Sequence, residues 1–159
     1  MILSYENLKE IASNPKQLRK IRTNRKEKNM NRKLKILIVE DEVLISTWLE
    51  IQLEDEGYIV CGNFTTGEEA VEFVQDTIPD VVLMDIHLVG KIDGIETAKK
   101  ITDKANIPII YMTGYDEPEI KKLTQEFNSI AYLVKPIEFG TLYKYLNNYY
   151  NFYFKNRMI

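Results

Sequence analysis

The chain has 159 residues, 45% hydrophobic and 28% charged, so it suits one domain with a substantial core and is too apolar for a disordered segment. No apolar run approaches the ~20 residues of a membrane span. The single cysteine excludes an internal disulfide, and the single histidine excludes a multi-histidine metal site. The basic, polar start lacks the apolar segment of a secretion signal, and we therefore expect a cytoplasmic domain.

The charge is distributed unevenly along the chain. Residues 1–35 contain 11 basic and 3 acidic residues, whereas the remaining 124 contain 10 basic and 21 acidic residues. The ordinary interpretation is a solvated basic arm; nucleic-acid binding by the arm is the alternative, which its scarcity of aromatic residues disfavours. Met30 is hypothesised to be the natural start. We divide the chain into a basic N-terminal extension at 1–33, a domain at 34–154 and a tail at 155–159.

Strands and helices are predicted to alternate from residue 34 onwards. Short apolar runs predict five strands, at 34–39, 58–61, 81–84, 108–112 and 130–134. Helical periodicity and capping residues predict helices at 42–56, from the Thr66–Glu69 capping box to before Pro79, and at 94–103, 117–127 and 138–153. Five strand–helix units with short links imply a parallel sheet with helices on both faces. Trp48 and Cys61 are expected in the core.

Carboxylates follow two strands of this predicted sheet. Glu40 and Asp41 come after the first strand, and Asp85 comes after the third. In doubly wound sheets, functional groups collect at the carboxyl ends of the strands, near the switch in strand order. Three converging carboxylates repel one another unless a cation neutralises them, and Mg²⁺ suits a few carboxylate oxygens with retained waters. The sequence therefore predicts a Mg²⁺ site here.

A hydroxyl and an ammonium end the next two strands. Thr113 ends the fourth strand, and Lys135 ends the fifth, directly before Pro136. These groups suit an anion that reaches the metal. Asp85 would then act as a nucleophile towards a phosphoryl group, while Mg²⁺ and Lys135 balance the charge on the transferring oxygens.

The sequence resembles response-regulator receiver domains from about Leu34 to Tyr150. Five runs carry the resemblance, in family order and at family-like spacing: Ile38-Val39-Glu40-Asp41-Glu42, Leu83-Met84-Asp85-Ile86-His87-Leu88, Asp93-Gly94-Ile95-Glu96, Met112-Thr113-Gly114 and Val134-Lys135-Pro136. The resemblance implies an α/β, flavodoxin-like (βα)5 doubly wound parallel sheet with strand order 2-1-3-4-5. It also implies a phosphorylation switch of a two-component relay, which catalyses only its own phosphorylation and dephosphorylation.

The resemblance also implies roles for individual residues. Asp85 would accept a phosphoryl group from a phosphohistidine on a histidine kinase or phosphotransfer protein, with Thr113 and Lys135 as its catalytic partners. Mg²⁺ would be held by Glu40, Asp41, Asp85 and the backbone carbonyl of His87. Thr113 and Tyr132 would form the switch, and the Lys135–Pro136 bond would be cis.

This sequence departs from the family pattern at two places. Glu40 replaces the commoner aspartate, which keeps the charge on a side chain one methylene longer. The loop at 88–94 is longer than usual and lacks the family's proline. The side chain of His87 is expected to be half-exposed at the rim of the site, where with Tyr115 it would set water access.

Other classes of protein fit the sequence less well. A Mg²⁺-dependent phosphatase of the haloacid-dehalogenase type needs a second aspartate two residues after the nucleophile, where this chain has His87. A nucleotide or flavin binder would require a small-residue loop after the first strand, where residues 40–42 would repel a phosphate.

The last predicted helix is rich in aromatic residues. It contains 8 of the chain's 17 aromatic residues: Phe139, Tyr143, Tyr145, Tyr149, Tyr150, Phe152, Tyr153 and Phe154. They predict either a partner interface or a helix end that folds back onto its own domain. We expect a stand-alone receiver that signals by protein–protein contact through its C-terminal half. A homodimer is left open, and neither nucleic acid nor membrane is expected as a partner.

Overall fold

The computed structural model describes residues 34–156, with side chains through Tyr153. Within this range the strands are β1 (Lys35–Val39), β2 (Ile59–Phe64), β3 (Val81–Asp85), β4 (Ile109–Thr113) and β5 (Ser129–Val134). The helices are α1 (Val43–Asp55), α2 (Gly67–Asp76), α3 (Gly94–Lys104), α4 (Pro118–Thr124) and α5 (Phe139–Asn156). Every strand pairing is parallel and the order is 2-1-3-4-5. The predicted fold is therefore confirmed.

Three elements end three residues away from their predicted ends, and one of them is α5, which continues to Asn156 instead of ending at 153. β2 extends three residues further than predicted, because Gly62 and Asn63 pair with β1 despite their low strand propensity. The register shifts between Ile36 and Leu37, which leaves Cys61 as the extra residue of a bulge. α4 ends three residues earlier than predicted, since a tightened turn follows it and Asn128 has a positive φ of 47°.

The predicted helix ends have a clear structural basis. At the end of α1, Gly57 has a φ of 88°; its N–H bonds Glu54 O, and the Tyr58 N–H bonds Leu53 O, as in a Schellman motif. At the start of α2, the Thr66 hydroxyl oxygen accepts the Glu69 N–H at 3.4 Å. Thr66 is therefore confirmed as the N-cap, whereas the Glu69 carboxylate of the predicted box accepts the Thr66 hydroxyl at 2.8 Å.

The core lies on both faces of the sheet. On one face, Leu49 and Leu53 of α1 pack with Leu142 and Leu146 of α5 against the strands. On the other face, residues of α2 and α3, including Ala70, Val74, Ala98 and Ile101, cover the sheet. β1, β3 and β4 are consequently buried on both sides, which explains their continuous apolar runs.

Not all predicted core residues are buried. Trp48 is 48% exposed, and its ring contacts Phe139 edge to face at 4.6 Å between centroids. It was wrongly predicted as a core residue, because α1 is apolar on its outer side as well. Cys61 is half-buried, and its thiol lies 3.4 Å from Ile36 O.

The aromatic residues of α5 divide between core and surface. Four of them, Phe139, Tyr143, Tyr149 and Tyr150, pack against the core, whereas Tyr145 and Phe152 are exposed by 38% and 65%. Folding back onto the domain thus accounts for part of the cluster. Phe154's side chain, the predicted N-terminal extension and residues 157–159 of the predicted tail lie outside the described residues.

Candidate functional site

The predicted carboxylates meet at the carboxyl edge of the sheet. Asp85 is the last residue of β3, and Glu40 and Asp41 follow directly on the neighbouring β1. A carboxylate oxygen from each residue lies within 4.8 Å of the others. Glu40 and Asp85 are buried, with 0% and 3% of their surface exposed, and Asp41 is intermediate. β1 pairs with β2 on one side and β3 on the other, so this is the switch in strand order.

Lys135 directly follows β5, which lies on the opposite side of β4 from β3, and its side chain reaches this acidic cluster. Its Nζ lies 2.8 Å from Asp85 Oδ2 and 2.7 and 2.9 Å from the two carboxylate oxygens of Glu40. The Lys135 N–H donates to Thr113 O at 2.7 Å, which fixes the backbone beside β4. The Lys135–Pro136 bond is cis, as predicted. One ammonium is thus shared by two buried carboxylates.

This sharing leaves an excess of negative charge inside the protein. The pKa of Glu40 is raised from 4.5 to about 7, and burial is the largest cause. The hydrogen bond with Lys135 offsets part of this rise, whereas the negative charge of Asp85 increases it. For Lys135, burial alone lowers the pKa, but hydrogen bonds to Asp85 and Glu40 outweigh it, and the pKa lies above its ordinary value. The site therefore favours an additional cation.

The chemistry of the ligand atoms fits a magnesium ion. Glu40, Asp41 and Asp85 offer oxygen atoms only, and the part of the chain that the structure describes places them close enough to share one ion. Hard cations prefer such ligands, and Mg²⁺ combines a few carboxylates with retained water. The backbone N–H of His87 donates to Asp85 Oδ1 at 3.1 Å, which holds the predicted fourth ligand residue beside the cluster.

Thr113 lies at the end of β4, where it is completely buried. Its Oγ1 accepts the Tyr115 N–H at 3.2 Å and lies 3.4 Å from His87 Nδ1. The imidazole is about half exposed at the rim, as predicted, and its Nε2 lies 3.2 Å from Glu117 Oε1. Glu117 was not predicted to contribute to the site.

Tyr132 contacts the loop that follows Thr113. Its hydroxyl donates to Tyr115 O at 3.2 Å and accepts the Glu117 N–H at 3.4 Å. The ammonium of Lys121 lies over the ring, 5.6 Å from its centroid. The two predicted switch residues, Thr113 and Tyr132, therefore bind the same short loop through different atoms.

The long loop between β3 and α3 is attached to α2. Glu68 Oε1 accepts the Lys91 N–H at 2.8 Å, and Gly90 lies against the same carboxylate. At the end of the loop, Asp93 accepts the Glu96 N–H at 2.8 Å and caps α3. Glu68 was also missed by the sequence analysis, because a glutamate in the first turn of a helix is common for other reasons.

None of the helices in residues 34–156 is long and apolar enough to cross a membrane. This result concerns the described helices alone.

Comparison with known proteins identifies the family. A family model described as the response regulator receiver domain matches residues 36–147. The transcriptional regulatory protein PdtaR of Mycobacterium tuberculosis is 36% identical over 108 residues, covering 68% of this chain and 52% of that protein. The chain therefore spans about half the length of that curated relative.

Solved structures of receiver domains have the same fold. The signal receiver domain of a modulated diguanylate cyclase from Desulfovibrio desulfuricans G20 is 39% identical, with a TM-score of 0.70 over 76% of this chain and 95% of that chain. A CheY-like receiver domain protein from Methanospirillum hungatei JF-1 is 25% identical, with a TM-score of 0.72 over 79% of this chain and 99% of that chain. With the match to residues 36–147, these likenesses show that the chain belongs to the response regulator receiver family.

Proposed function

We propose that this receiver accepts a phosphoryl group on Asp85 from a phosphohistidine of a histidine kinase or phosphotransfer protein. The observation that carries the proposal is the position of Asp85, whose Oδ2 lies 2.8 Å from Lys135 Nζ beside two further acidic residues. A carboxylate oxygen of Asp85 would form a bond to phosphorus while the P–N bond of the donor breaks. The electron pair of that bond stays with the donor's imidazole nitrogen.

The other residues of the site would stabilise the transferred group. Lys135 is already paired with Asp85, so its ammonium would pair with a phosphoryl oxygen as the carboxylate of Asp85 gives up its own charge to the bond with phosphorus. Glu40, Asp41, Asp85 and the His87 carbonyl would hold Mg²⁺, which neutralises the phosphoryl oxygens when bound. The Thr113 hydroxyl would donate a hydrogen bond to the product.

The rim of the site supports a protein as the phosphoryl donor. Large apolar side chains are exposed on three segments that border the carboxyl edge: Val43 and Leu44 at the start of α1, Val89 in the loop after β3, and Tyr115 after β4, with exposures of 61%, 87%, 74% and 72%. Exposed apolar surface of this kind is typical of protein contacts.

Signalling would pass to the C-terminal half of the domain. If Thr113 moves towards a phosphoryl group, the loop bound by Tyr132 must move as well, and α4, β5 and α5 then repack. The exposed Tyr145 and Phe152 on α5 give this half a surface for a downstream protein.

Intact-protein mass spectrometry after incubation with acetyl phosphate tests the proposal. We expect a base-labile gain of one phosphoryl group that requires Mg²⁺ and is lost in Asp85→Asn. Asp103→Asn, which makes the same change at an exposed position of α3, should react like the wild type. Failure of the wild type to gain the adduct under any condition, or an adduct on Asp85→Asn, would overturn the proposal.

A further inference from the structure

The imidazole of His87 bridges two residues from other parts of the fold. Its Nε2 lies 3.2 Å from Glu117 Oε1, and its Nδ1 lies 3.4 Å from Thr113 Oγ1. Glu117 immediately precedes α4, whereas Thr113 ends β4. The ring therefore connects the loop after β3 with Thr113 and Glu117, which are the two ends of the segment between β4 and α4.

The chemistry of the two partners determines where the protons lie. An ionised Glu117 carboxylate can only accept hydrogen bonds, so His87 Nε2 must donate to it. In a neutral imidazole, Nδ1 is then the acceptor, and the Thr113 hydroxyl donates to it. The Thr113 oxygen in turn accepts the Tyr115 N–H. In this arrangement the single proton of the hydroxyl is already in use.

We propose that His87 and Glu117 form a latch that holds the Thr113 hydroxyl in its resting position. The inference rests on the proposed function: to donate to a phosphoryl group on Asp85, Thr113 must give up its bond to His87. A contact that exists in only one of two states shifts the balance towards that state by its own free energy. His87 is thus a positioning residue that opposes the switch.

Tyr132 strengthens the same restraint. Its hydroxyl donates to Tyr115 O and accepts the Glu117 N–H. Tyr132 therefore holds the backbone of the loop that carries Glu117, while His87 holds the Glu117 side chain. Among the contacts described for residues 34–156, the side chains of this loop meet the loop after β3 at the His87 ring, through the bond from Glu117 and through an edge-to-face contact of Tyr115 at 6.2 Å between centroids. The latch therefore couples Thr113 to Tyr132.

Nitrogen NMR of the imidazole tests the resting contact without any phosphoryl chemistry. His87 is the single histidine of the 159 residues, so its signals need no assignment. For the neutral imidazole we expect the tautomer protonated at Nε2, because Glu117 lies beside that nitrogen. Glu117→Gln should shift these signals, whereas Glu119→Gln, the same change at an exposed position of α4, should not. Protonation at Nδ1, or indifference to Glu117→Gln, would overturn the latch.

The affinity for beryllofluoride, a phosphoryl analogue, tests the effect on switching. In the presence of Mg²⁺, we expect Glu117→Gln to bind beryllofluoride about two- to fivefold more tightly than the wild type, as fits the loss of a partly exposed pair. Glu119→Gln should match the wild type. Unchanged or weaker binding by Glu117→Gln would overturn the latch as a brake. Absence of beryllofluoride binding and of the phosphoryl adduct in the wild type would instead overturn the proposed function, while the NMR result still reports the resting contact.

Discussion

Gly94 lies against the backbone of Asp85, so closely that a Cβ at this position would be 1.9 Å from the Asp85 carbonyl oxygen. The Gly94 N–H donates to Ile86 O at 2.9 Å, which closes the loop between β3 and α3 onto its own start. The neighbouring atoms are backbone and cannot rotate away, so any larger residue would displace the strand end that carries Asp85.

Gly94→Ala should therefore destabilise the domain, by about 1–3 kcal/mol, as expected for overpacking. Urea unfolding measures the difference. Gly114→Ala serves as the control, because a Cβ there meets no atom within 4 Å among the residues described. Equal urea midpoints for Gly94→Ala and Gly114→Ala would contradict the close packing of Gly94 against Asp85.

Asp85→Asn should make the metal-free protein more stable. Two buried carboxylates share the ammonium of Lys135, and the substitution leaves one carboxylate per ammonium. We expect a gain of about 1 kcal/mol, because the charge on Asp85 helps to raise the pKa of Glu40 and the substitution removes that charge. Urea unfolding with a chelator measures it, with Asp103→Asn as the surface control. Added Mg²⁺ should reduce the difference in free energy of unfolding between the two proteins, because it stabilises the wild type more. If Asp85→Asn is less stable than the wild type in the absence of metal, the expectation is wrong.

Tyr111 and Tyr143 provide a matched pair of hydroxyl groups. The Tyr111 hydroxyl is buried on β4 without a hydrogen-bond partner in the described part of the chain, and burial raises the pKa of Tyr111. The Tyr143 hydroxyl donates to Gln52 O at 3.1 Å. Tyr111→Phe should leave stability unchanged or raise it, whereas Tyr143→Phe should lower it by about 0.5–1.5 kcal/mol. Thermal unfolding of both variants measures these changes in stability. A larger loss of stability in Tyr111→Phe than in Tyr143→Phe would be incompatible with these contacts.

Glu138 should make the stability of the domain depend on pH. Its carboxylate accepts hydrogen bonds from the Thr141 hydroxyl and from the Thr141 and Gly140 N–H groups in the first turn of α5, which lowers the pKa of Glu138 below 4.5. A lowered folded-state pKa contributes stability above the unfolded value and loses it as the pH falls. Glu138→Gln should thus be less stable than the wild type at neutral pH, and the difference in free energy of unfolding should shrink as the pH falls below about 4.5. Glu126→Gln, at an exposed position, is the control for charge.

The central residues of the site were predictable because a short-range pattern places each of them. Glu40, Asp85, Thr113 and Lys135 come at or directly after apolar runs, and parallel strands bring such positions to one edge. The strand order followed from the family resemblance and is confirmed.

The residues that position the site were less predictable. Glu68 and Glu117 act through partners 23 and 30 residues away in sequence, Lys91 and His87, and no local pattern distinguishes them from other surface glutamates. Trp48 was misplaced for a related reason: α1 is apolar on most of its circumference, so its periodicity does not reveal which side faces the sheet.

The attachment of Lys91 to Glu68 also affects the entrance to Asp85. The loop is tied at its start by the bond from His87 N–H to Asp85, at its end by the bond from Gly94 N–H to Ile86, and between them by Glu68. The middle of the loop is therefore held to the first turn of α2. If Asp85 accepts a phosphoryl group as proposed, the approach of its donor then depends in part on α2, a helix that contributes no residue to the acidic cluster.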